Sequence, residues 1–533
     1  MSRKKQYLKI KESWAKIKSS DFDFHRISSY FCNNDNTKYF QVISKKTIND
    51  IDFHELFMFL DRTNSKIGQQ YLYNKLLVID LKYKFDEQEK LIEYYNNNEQ
   101  CRIETQLLLT KLNKTEAYYI SSLFQDEYIK KPKWFWVIPA LSIVNLASLI
   151  LAIFLPKFFL VLFFTLIISL LFHYWNKRNI FIYTESISQL VSMLEVTRKL
   201  LKKHSDNAVQ NTLKSFEKLK MALSIFSMES KSNNSDFAVM IFAILEHIKI
   251  FFLIEPIFVF HVLENLDNKR TDLHKLFKYI GNIDSAISIA SLRASLKYFC
   301  KPEFSNDSPV LSYENIYHPL IIDCVENSLI VNGKSILLTG SNMSGKTTFI
   351  RTNAINVLCA QTINTCFATK FVLKPMQLFS AIRITDDLMN DRSYYFEEVL
   401  TIKQIVNESE SDSYKLFLLD EIFKGTNTIE RIAAGKAVLS YIGKNKNIVF
   451  VSTHDIELTE LLNDSYELYH FTETIENGSV NFDYKLKEGN LATRNAIKIL
   501  EMNEYPSEIT DEAKEISKNI TNANGHGVYS RKV

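Results

Sequence analysis

Gly340-Ser341-Asn342-Met343-Ser344-Gly345-Lys346-Thr347, followed by Thr348, decides the fold of the C-terminal third of this 533-residue chain. Apolar residues 336–338 ahead of it predict a strand, and residues 348–351 after it open a helix. The glycines let such a loop wrap tightly, so that backbone N–H groups face an anion at the helix N-terminus. A loop of this kind holds nucleotide phosphates. Lys346 then reaches the β- and γ-phosphates, and the Thr347 hydroxyl binds Mg²⁺. Gly340 through Thr348 are therefore the candidate ATP contacts.

Two further strands complete the pattern. Leu416 to Leu419 runs into Asp420-Glu421, and Ile448 to Ser452 runs into Thr453-His454. Asp420, at a strand end, is placed to hold Mg²⁺ through its water shell. Glu421 is the candidate to orient or deprotonate the attacking water, and His454 to sense the γ-phosphate. A satisfied core histidine is the alternative for His454 taken alone. The ordered set of loop, Asp-Glu strand and His strand is a far stronger signal than any one part.

With these residues in place, the sequence resembles the MutS family of ATPases. The family's loop also carries Asn-Met, as at Asn342-Met343, and Gly425-Thr426-Asn427-Thr428 is similar to its Gly-Thr-Ser-Thr turn. Asp386-Asp387 followed by Ser393 to Glu398 resembles its signature loop. The resemblance implies that Ser393 touches the ATP of an opposite subunit. His318-Pro319-Leu320 and Asn327 match the approach to the ATPase domain. Tyr484 to Gly489, then Tyr505-Pro506 and Ala513, fit the family's ending, where a helical segment packs on the partner. More weakly, Leu60 to Gly68 looks like the start of the family's helical core, and Asp284 with Tyr298 to Pro302 like its return. There are departures. Ser341 stands for a proline and Ser344 for a glycine. Phe423-Lys424 replaces Gly-Arg, and Glu430-Arg431 replaces Asp-Gly. Cys324 stands where an aromatic often stacks on adenine. None removes a phosphate or Mg²⁺ ligand. The core-like pattern begins near residue 40, so no mismatch-reading domain is expected. The Phe-x-Glu triplet of the family's mismatch wedge occurs at Phe53/Glu55, Phe85/Glu87, Phe396/Glu398 and Phe471/Glu473, a scatter expected of a chain rich in both residues.

Residues 134–175 are the second strong signal. Trp134 to Leu155 is apolar and uncharged, Pro156-Lys157 interrupts it, and Phe158 to Trp175 is a second run. As helices they extend roughly 33 Å and 27 Å at ~1.5 Å per residue, against a bilayer core of about 30 Å. Lys130, Lys131 and Lys133 flank one side and Lys177 and Arg178 the other, which places both ends in the cytoplasm. Trp134, Trp136 and Trp175 lie at those basic edges like an interfacial belt. A buried hairpin in a helical domain is the alternative. Asn145, Ser148, Thr165 and Ser169 are candidates for pairing the helices. Phe237 to Leu263, with Glu246, His247, Lys249, Glu255 and Pro256, reads as one or two buried amphipathic helices rather than further spans.

A formal charge of +3 is too small to argue for nucleic acid by bulk charge. Six dispersed cysteines show no paired metal spacing and fit a reduced cytoplasm. With only 12 glycines and 9 prolines, long helices should dominate. Two basic segments stand out. Residues 1–20 are either an amphipathic helix on anionic lipid or a solvated one. Residues 198–220 are suited to a DNA backbone, to phospholipid or to plain solvent.

The expected fold is α plus α/β: a long-helix core and lever with an inserted transmembrane helical hairpin, followed by a P-loop ABC-type ATPase. The divisions are 1–130 (helical, with the first core segment), 131–178 (hairpin), 179–305 (lever and core return), 306–515 (ATPase) and 516–533 (flexible tail). The expected protein is a homodimeric ATPase using ATP and Mg²⁺, held in the bacterial inner membrane with its ATPase domain in the cytoplasm. DNA is reached through its backbone, and protein partners are undefined. A nucleotide-switched membrane scaffold is the alternative. A transporter ATPase fits poorly, because one hairpin is too little for a pore and no Leu-Ser-Gly-Gly-Gln signature is present.

Overall fold

The computed structural model describes residues 3–129, 131–217, 244, 247–305, 307–341, 343–383, 394–476, 479–490 and 496–527. They form two compact units, one of residues 1–39 and 57–297, the other of residues 40–56 and 298–533.

The first unit is helical. Its centre joins two segments far apart in sequence, α1 (Lys66–Leu77) and the long α6 (Arg270–Ser295). Ser65 caps α1, its hydroxyl accepting from Gly68 N at 2.9 Å. The buried Asp284 carboxylate of α6 accepts from Asn64 N (2.9 Å), Ser65 N (2.8 Å) and Ser65 Oγ (2.5 Å). A Cβ at Gly68 would lie 2.1 Å from Asp284 Oδ2, so only glycine admits this approach. The two weaker core-like segments of the sequence thus meet at Asp284. Burial pushes its carboxyl up, and the hydrogen bonds from Ser65 and Asn64 pull against that.

Between these segments lie α2 (Val137–Phe154), α3 (Phe158–Asn179), α4 (Phe181–Leu201) and α5 (Ile254–Asp267). Helices α2 and α3 are each long and apolar enough to cross a membrane by length and composition. They pair as a hairpin through Asn145 Nδ2, which donates to Ser169 Oγ at 2.9 Å. Ser148 and Thr165 instead bond within their own helices. Ile143, Ile150, Ile153, Phe159, Phe163 and Leu171 remain exposed. Trp134 packs edge-on against Trp175 at 4.9 Å at the basic end. Lys130 and residues 237–243, 245 and 246 lie outside the described residues, as does the side chain of Lys177.

Helix Arg3–Glu12 and the turn after it dock on the first unit. Trp14 lies under the Arg102 guanidinium at 3.7 Å, Lys18 binds buried Asp61 at 2.9 Å, and Lys11 pairs with Glu99 at 3.1 Å. These contacts turn the segment's tryptophan toward protein, which favours the solvated-helix alternative. In the other basic segment, Lys199 pairs with Glu195 and Lys203 with Glu104, while Arg198, Lys202 and Lys214 stay exposed. Lys218 and Lys220 fall outside the described residues.

The second unit holds a six-stranded sheet. Its strands are β1 (Ser335–Thr339), β2 (Gln377–Ala381), β3 (Lys415–Asp420), β4 (Asn447–Ser452), β5 (Tyr466–His470) and β6 (Lys487–Glu488). Their order is β6-β5-β1-β4-β3-β2, parallel except for β6. Runs such as 336–338, 416–419 and 448–451 are wholly buried, as parallel strands covered on both faces require. A four-stranded sheet of Glu303–Phe304, Lys370–Leu373, Leu311–Ile316 and Asn327–Val331 lies in the same unit. Its longest helices are α7 (Lys346–Ile363), α8 (Tyr394–Ser409), α9 (Thr428–Ile442) and α10 (Ser507–Gly527).

Two boundaries differ from the sequence reading. Residues 40–56 belong with the ATPase-like unit, not the N-terminal helical region. The Gln41 amide exchanges hydrogen bonds with Leu378 O (2.7 Å) and Leu378 N (2.8 Å). Asp50 accepts from Ser380 Oγ, Ile382 N and Arg383 N. These polar contacts act through a buried strand backbone that hydropathy patterning cannot show. The expected flexible tail is instead helical as far as Gly527, where α10 continues. Ile509, Ala513 and Ile516, at spacings of four and three, give that helix an apolar stripe on which Ile509 and Ile516 stay exposed.

Candidate functional site

The register of the parallel sheet assembles the site. Ser452 pairs with both Asp420 and Leu338, so β3, β4 and β1 end side by side at their C-terminal edge. Ligands of open α/β sheets bind at this edge. The loop 340–345 leaves β1 there and enters α7. Gly340 (φ +148°) and Gly345 (φ +104°) take conformations that side chains disfavour. A Cβ on Gly340 would also lie 2.7 Å from Phe471 O.

Lys346, buried at the start of α7, donates to Gly340 O and Ser341 O, both at 2.8 Å. Burial lowers its pKa, with Glu421 and Asp420 opposing. Thr347 Oγ1 donates to Asp420 Oδ2 at 2.8 Å, and Ser452 Oγ donates to the other Asp420 oxygen. A hydroxyl beside a carboxylate is a hard oxygen pair suited to Mg²⁺. Among the described residues the buried Ser344 hydroxyl of the loop has no partner, an orphan that a bound phosphate would satisfy. The residues present therefore fit ATP and Mg²⁺.

Glu421 leaves β3 at φ +50°. Its carboxylate lies 2.9 Å from His454 Nε2 and 2.9 Å from Lys424 Nζ. Burial opposes ionisation, but the hydrogen bonds from His454 and Lys424 outweigh it and hold the carboxyl down at about 2. Both of its carboxylate oxygens are thus engaged by cationic or hydrogen-bonding side chains. Phe423 stands at φ +62°, a conformation that glycine adopts freely, and buries its side chain in the adjoining core. The buried carboxylate of Glu398, on α8, accepts from Lys424 N at 3.2 Å and Gly425 N at 3.4 Å and so fixes this turn.

A cleft of about 480 Å³ opens beside the loop, lined by Ile321, Ile322, Cys324 and Val325, by Met343 to Thr348, and by Glu421 and Tyr484. Cys324 accepts from His318 N at 3.3 Å, and burial pushes its thiol up. Tyr484 brings an aromatic ring to the cleft from elsewhere in the chain. Asn327 holds the 484–486 segment at the cleft, donating to Tyr484 O at 3.1 Å and accepting from Leu486 N at 2.8 Å.

Lys346, Thr347, Asp420, Glu421 and His454 thus converge as the sequence reading required, with Gly340, Ser341, Met343, Ser344, Gly345 and Thr348 around them. Asn342, Ser393, Asp386 and Asp387 lie outside the described residues. Sequence reasoning missed four partners: Ser452 on Asp420, Lys424 on Glu421, Tyr484 at the cleft, and Glu473, which accepts from Ser341 Oγ at 2.7 Å. Lys424 was marked only as a departure from the family pattern and Tyr484 only as part of the family's ending, and neither was read as a contact of the site.

A parallel sheet with this loop, acidic strand end and histidine defines an ATP-binding protein of the ABC-type ATPase class. Residues 336–521 match the family model of MutS domain V. A DNA mismatch repair protein MutS of Listeria monocytogenes serotype 4b is 32% identical over 267 residues, covering 47% of this chain and 30% of the relative. The protein of that name from a Geobacillus species is 33% identical over 258 residues, covering 46% and 29%. That from Staphylococcus haemolyticus is 30% identical over 265 residues, covering 48% and 30%. The likeness to MutS proteins is carried by this domain, in the C-terminal half of the chain. The chain spans about 30% of the length of these relatives.

Proposed function

We propose that this chain is a membrane-anchored, MutS-like ATPase that dimerises through composite ATP sites and associates with DNA without reading mismatches directly. The observation that carries the reading is that Lys346, Thr347 and Glu421 line one cleft at the sheet edge, with Asp420 held on Thr347 and His454 on Glu421. Lys346 and the loop N–H groups hold the phosphates. Thr347 and Asp420 hold Mg²⁺, which when bound neutralises phosphate charge. Glu421, steadied by His454, orients the water.

Anchoring through α2 and α3 in the bacterial inner membrane, with the ATPase unit in the cytoplasm, is supported by their exposed apolar faces and basic edges. Dimerisation is supported by Ile509 and Ile516, which leave an apolar stripe open on α10 for a partner ATPase. The trans contact falls to Ser393. Among the described residues of the basic segment, DNA contact through phosphates has support from Arg198, Lys202 and Lys214. None of the four Phe-x-Glu triplets presents a free wedge. Phe53 and Phe471 are buried, Phe85 packs on Tyr83, and in the fourth triplet Phe396 is exposed but Glu398 is buried and bonded to the turn at Lys424 and Gly425. A nucleotide-switched scaffold without a DNA role is the second reading. It is favoured by the Lys424–Glu421 pair, which occupies the water-orienting carboxylate.

ATP turnover in lipid nanodiscs, with and without duplex, mismatched and branched DNA, tests these readings. We expect DNA to stimulate turnover with no preference for mismatches. Turnover that ignores every DNA moves the function to the scaffold, and mismatch-selective binding overturns the absence of mismatch reading. For the cleft, Tyr484→Ala should weaken ATP roughly tenfold, since stacking on a base contributes about 1–3 kcal/mol. Unchanged affinity for a fluorescent ATP would place the base elsewhere.

A further inference from the structure

Residues 247–251 are helical and meet α5 at Leu253, whose φ is +47°. A leucine at positive φ is uncommon and here reverses the chain between two helical pieces. The carbonyls at this reversal turn onto α2. Asn145 Nδ2 donates to Phe251 O and Ser142 Oγ to Phe252 O, both at 2.7 Å. Asn145 lies halfway along the 18-residue α2. From the reversal, α5 runs back toward the basic edge. Phe260 packs edge-on against Phe135 at 4.9 Å, and Glu264 meets Lys131 at 3.1 Å. Residues 254–264 cover about 15 Å at ~1.5 Å per residue, half of the roughly 30 Å hydrocarbon core.

We propose that residues 247–263 form a membrane-inserted half-span whose tip, at 251–253, lies near the middle of the bilayer and from which α5 returns to the basic edge, with acyl chains as the partner of its outer face. The proposal rests on reading α2 and α3 as a membrane hairpin. It replaces the expectation that this stretch is buried wholly within protein. Non-helical backbone at membrane depth is tolerated where protein groups take its carbonyls, and Asn145 and Ser142 do so. Ile248, one turn before the tip, is left exposed. Two charges travel with the tip. Lys249 Nζ is 3.8 Å from the Glu255 carboxylate, with side chains only 12% and 16% exposed. Ionisable groups at such depth are paired and turned into the protein, as these are.

Depth-resolved fluorescence tests this in the full chain. Phe252→Trp and, separately, Val144→Trp, which adjoins Asn145 on α2, are reconstituted in nanodiscs of phosphatidylcholine brominated near the headgroup or at mid-chain. The added signal is read against the parent, which has four tryptophans. The half-span predicts that both added tryptophans are quenched more by mid-chain than by headgroup-proximal bromine, and that both are shielded from acrylamide. Deep quenching at 144 with none at 252 overturns the half-span and leaves the hairpin standing. No deep quenching at either position overturns the hairpin reading itself. If Phe252→Trp misfolds, Ile248→Trp gives the same comparison one turn nearer the edge.

Discussion

Glu421→Gln should lower ATP turnover by about 10²-fold or more while ATP still binds, because a positioned acid–base or water-orienting group contributes typically 10²–10⁴-fold. The phosphate contacts of Lys346 and the loop do not involve Glu421, so the dissociation constant should move little. The amide keeps the shape of the side chain but loses its charge and one acceptor. It therefore weakens both the 2.9 Å contact with His454 and the 2.9 Å contact with Lys424. Direction of pH dependence follows from the depressed carboxyl. Its pKa falls from 4.5 unfolded to about 2 folded. Its contribution to stability is thus fully present above about pH 4.5 and is lost as pH falls toward 2. Across neutral pH Glu421 stays ionised, so any acid limb in the turnover profile near neutrality belongs to another group. Single-turnover kinetics with a parallel binding assay check both halves. Undiminished turnover in Glu421→Gln would remove Glu421 from the mechanism.

What the sequence made legible follows the range of each interaction. The loop from Gly340 to Thr347 needs only its own residues and the strand and helix beside it, so its reading required no tertiary knowledge. Asp420 and His454 sit at the ends of continuous apolar runs, which mark buried parallel strands. The hairpin was legible for the same reason, two long uncharged runs broken at Pro156-Lys157. Tyr484 and Glu473 were not. They arrive because β5 pairs with β1 and the chain beyond it returns past the loop. Asp50 and Gln41 were misplaced because their contacts are hydrogen bonds to β2 and the residues just after it, more than 300 residues away. The half-span was obscured by its own charges. Lys249 and Glu255 read as soluble until their pairing is seen.

Asp284→Ala should destabilise the helical unit by about 3–5 kcal/mol, the combined cost of several buried donors left unpaired at roughly 1–3 kcal/mol each. The carboxylate accepts from two backbone N–H groups, the Ser65 hydroxyl and the Asn64 amide (3.2 Å), all at the N-terminus of α1. Alanine strands these donors in a site from which water is excluded, and each unpaired buried donor costs roughly 1–3 kcal/mol. It also opens a cavity against Gly68 and removes a negative charge from the positive end of the α1 dipole. Asn is no rescue. Its amide offers one oxygen, and its NH₂ would face N–H and O–H donors, so Asp284→Asn should be destabilised as well, by less than alanine. In a unit of this size about 1 kcal/mol moves the midpoint by roughly 2–4 °C, so thermal unfolding should shift by roughly 10 °C for the alanine variant. Gly68→Ala should behave alike, because its methyl would displace the same carboxylate, 2.1 Å from the Cβ position. A midpoint unchanged in both variants would mean that Asp284 does not join α1 to α6, and that the distant core segments are held together by apolar packing alone.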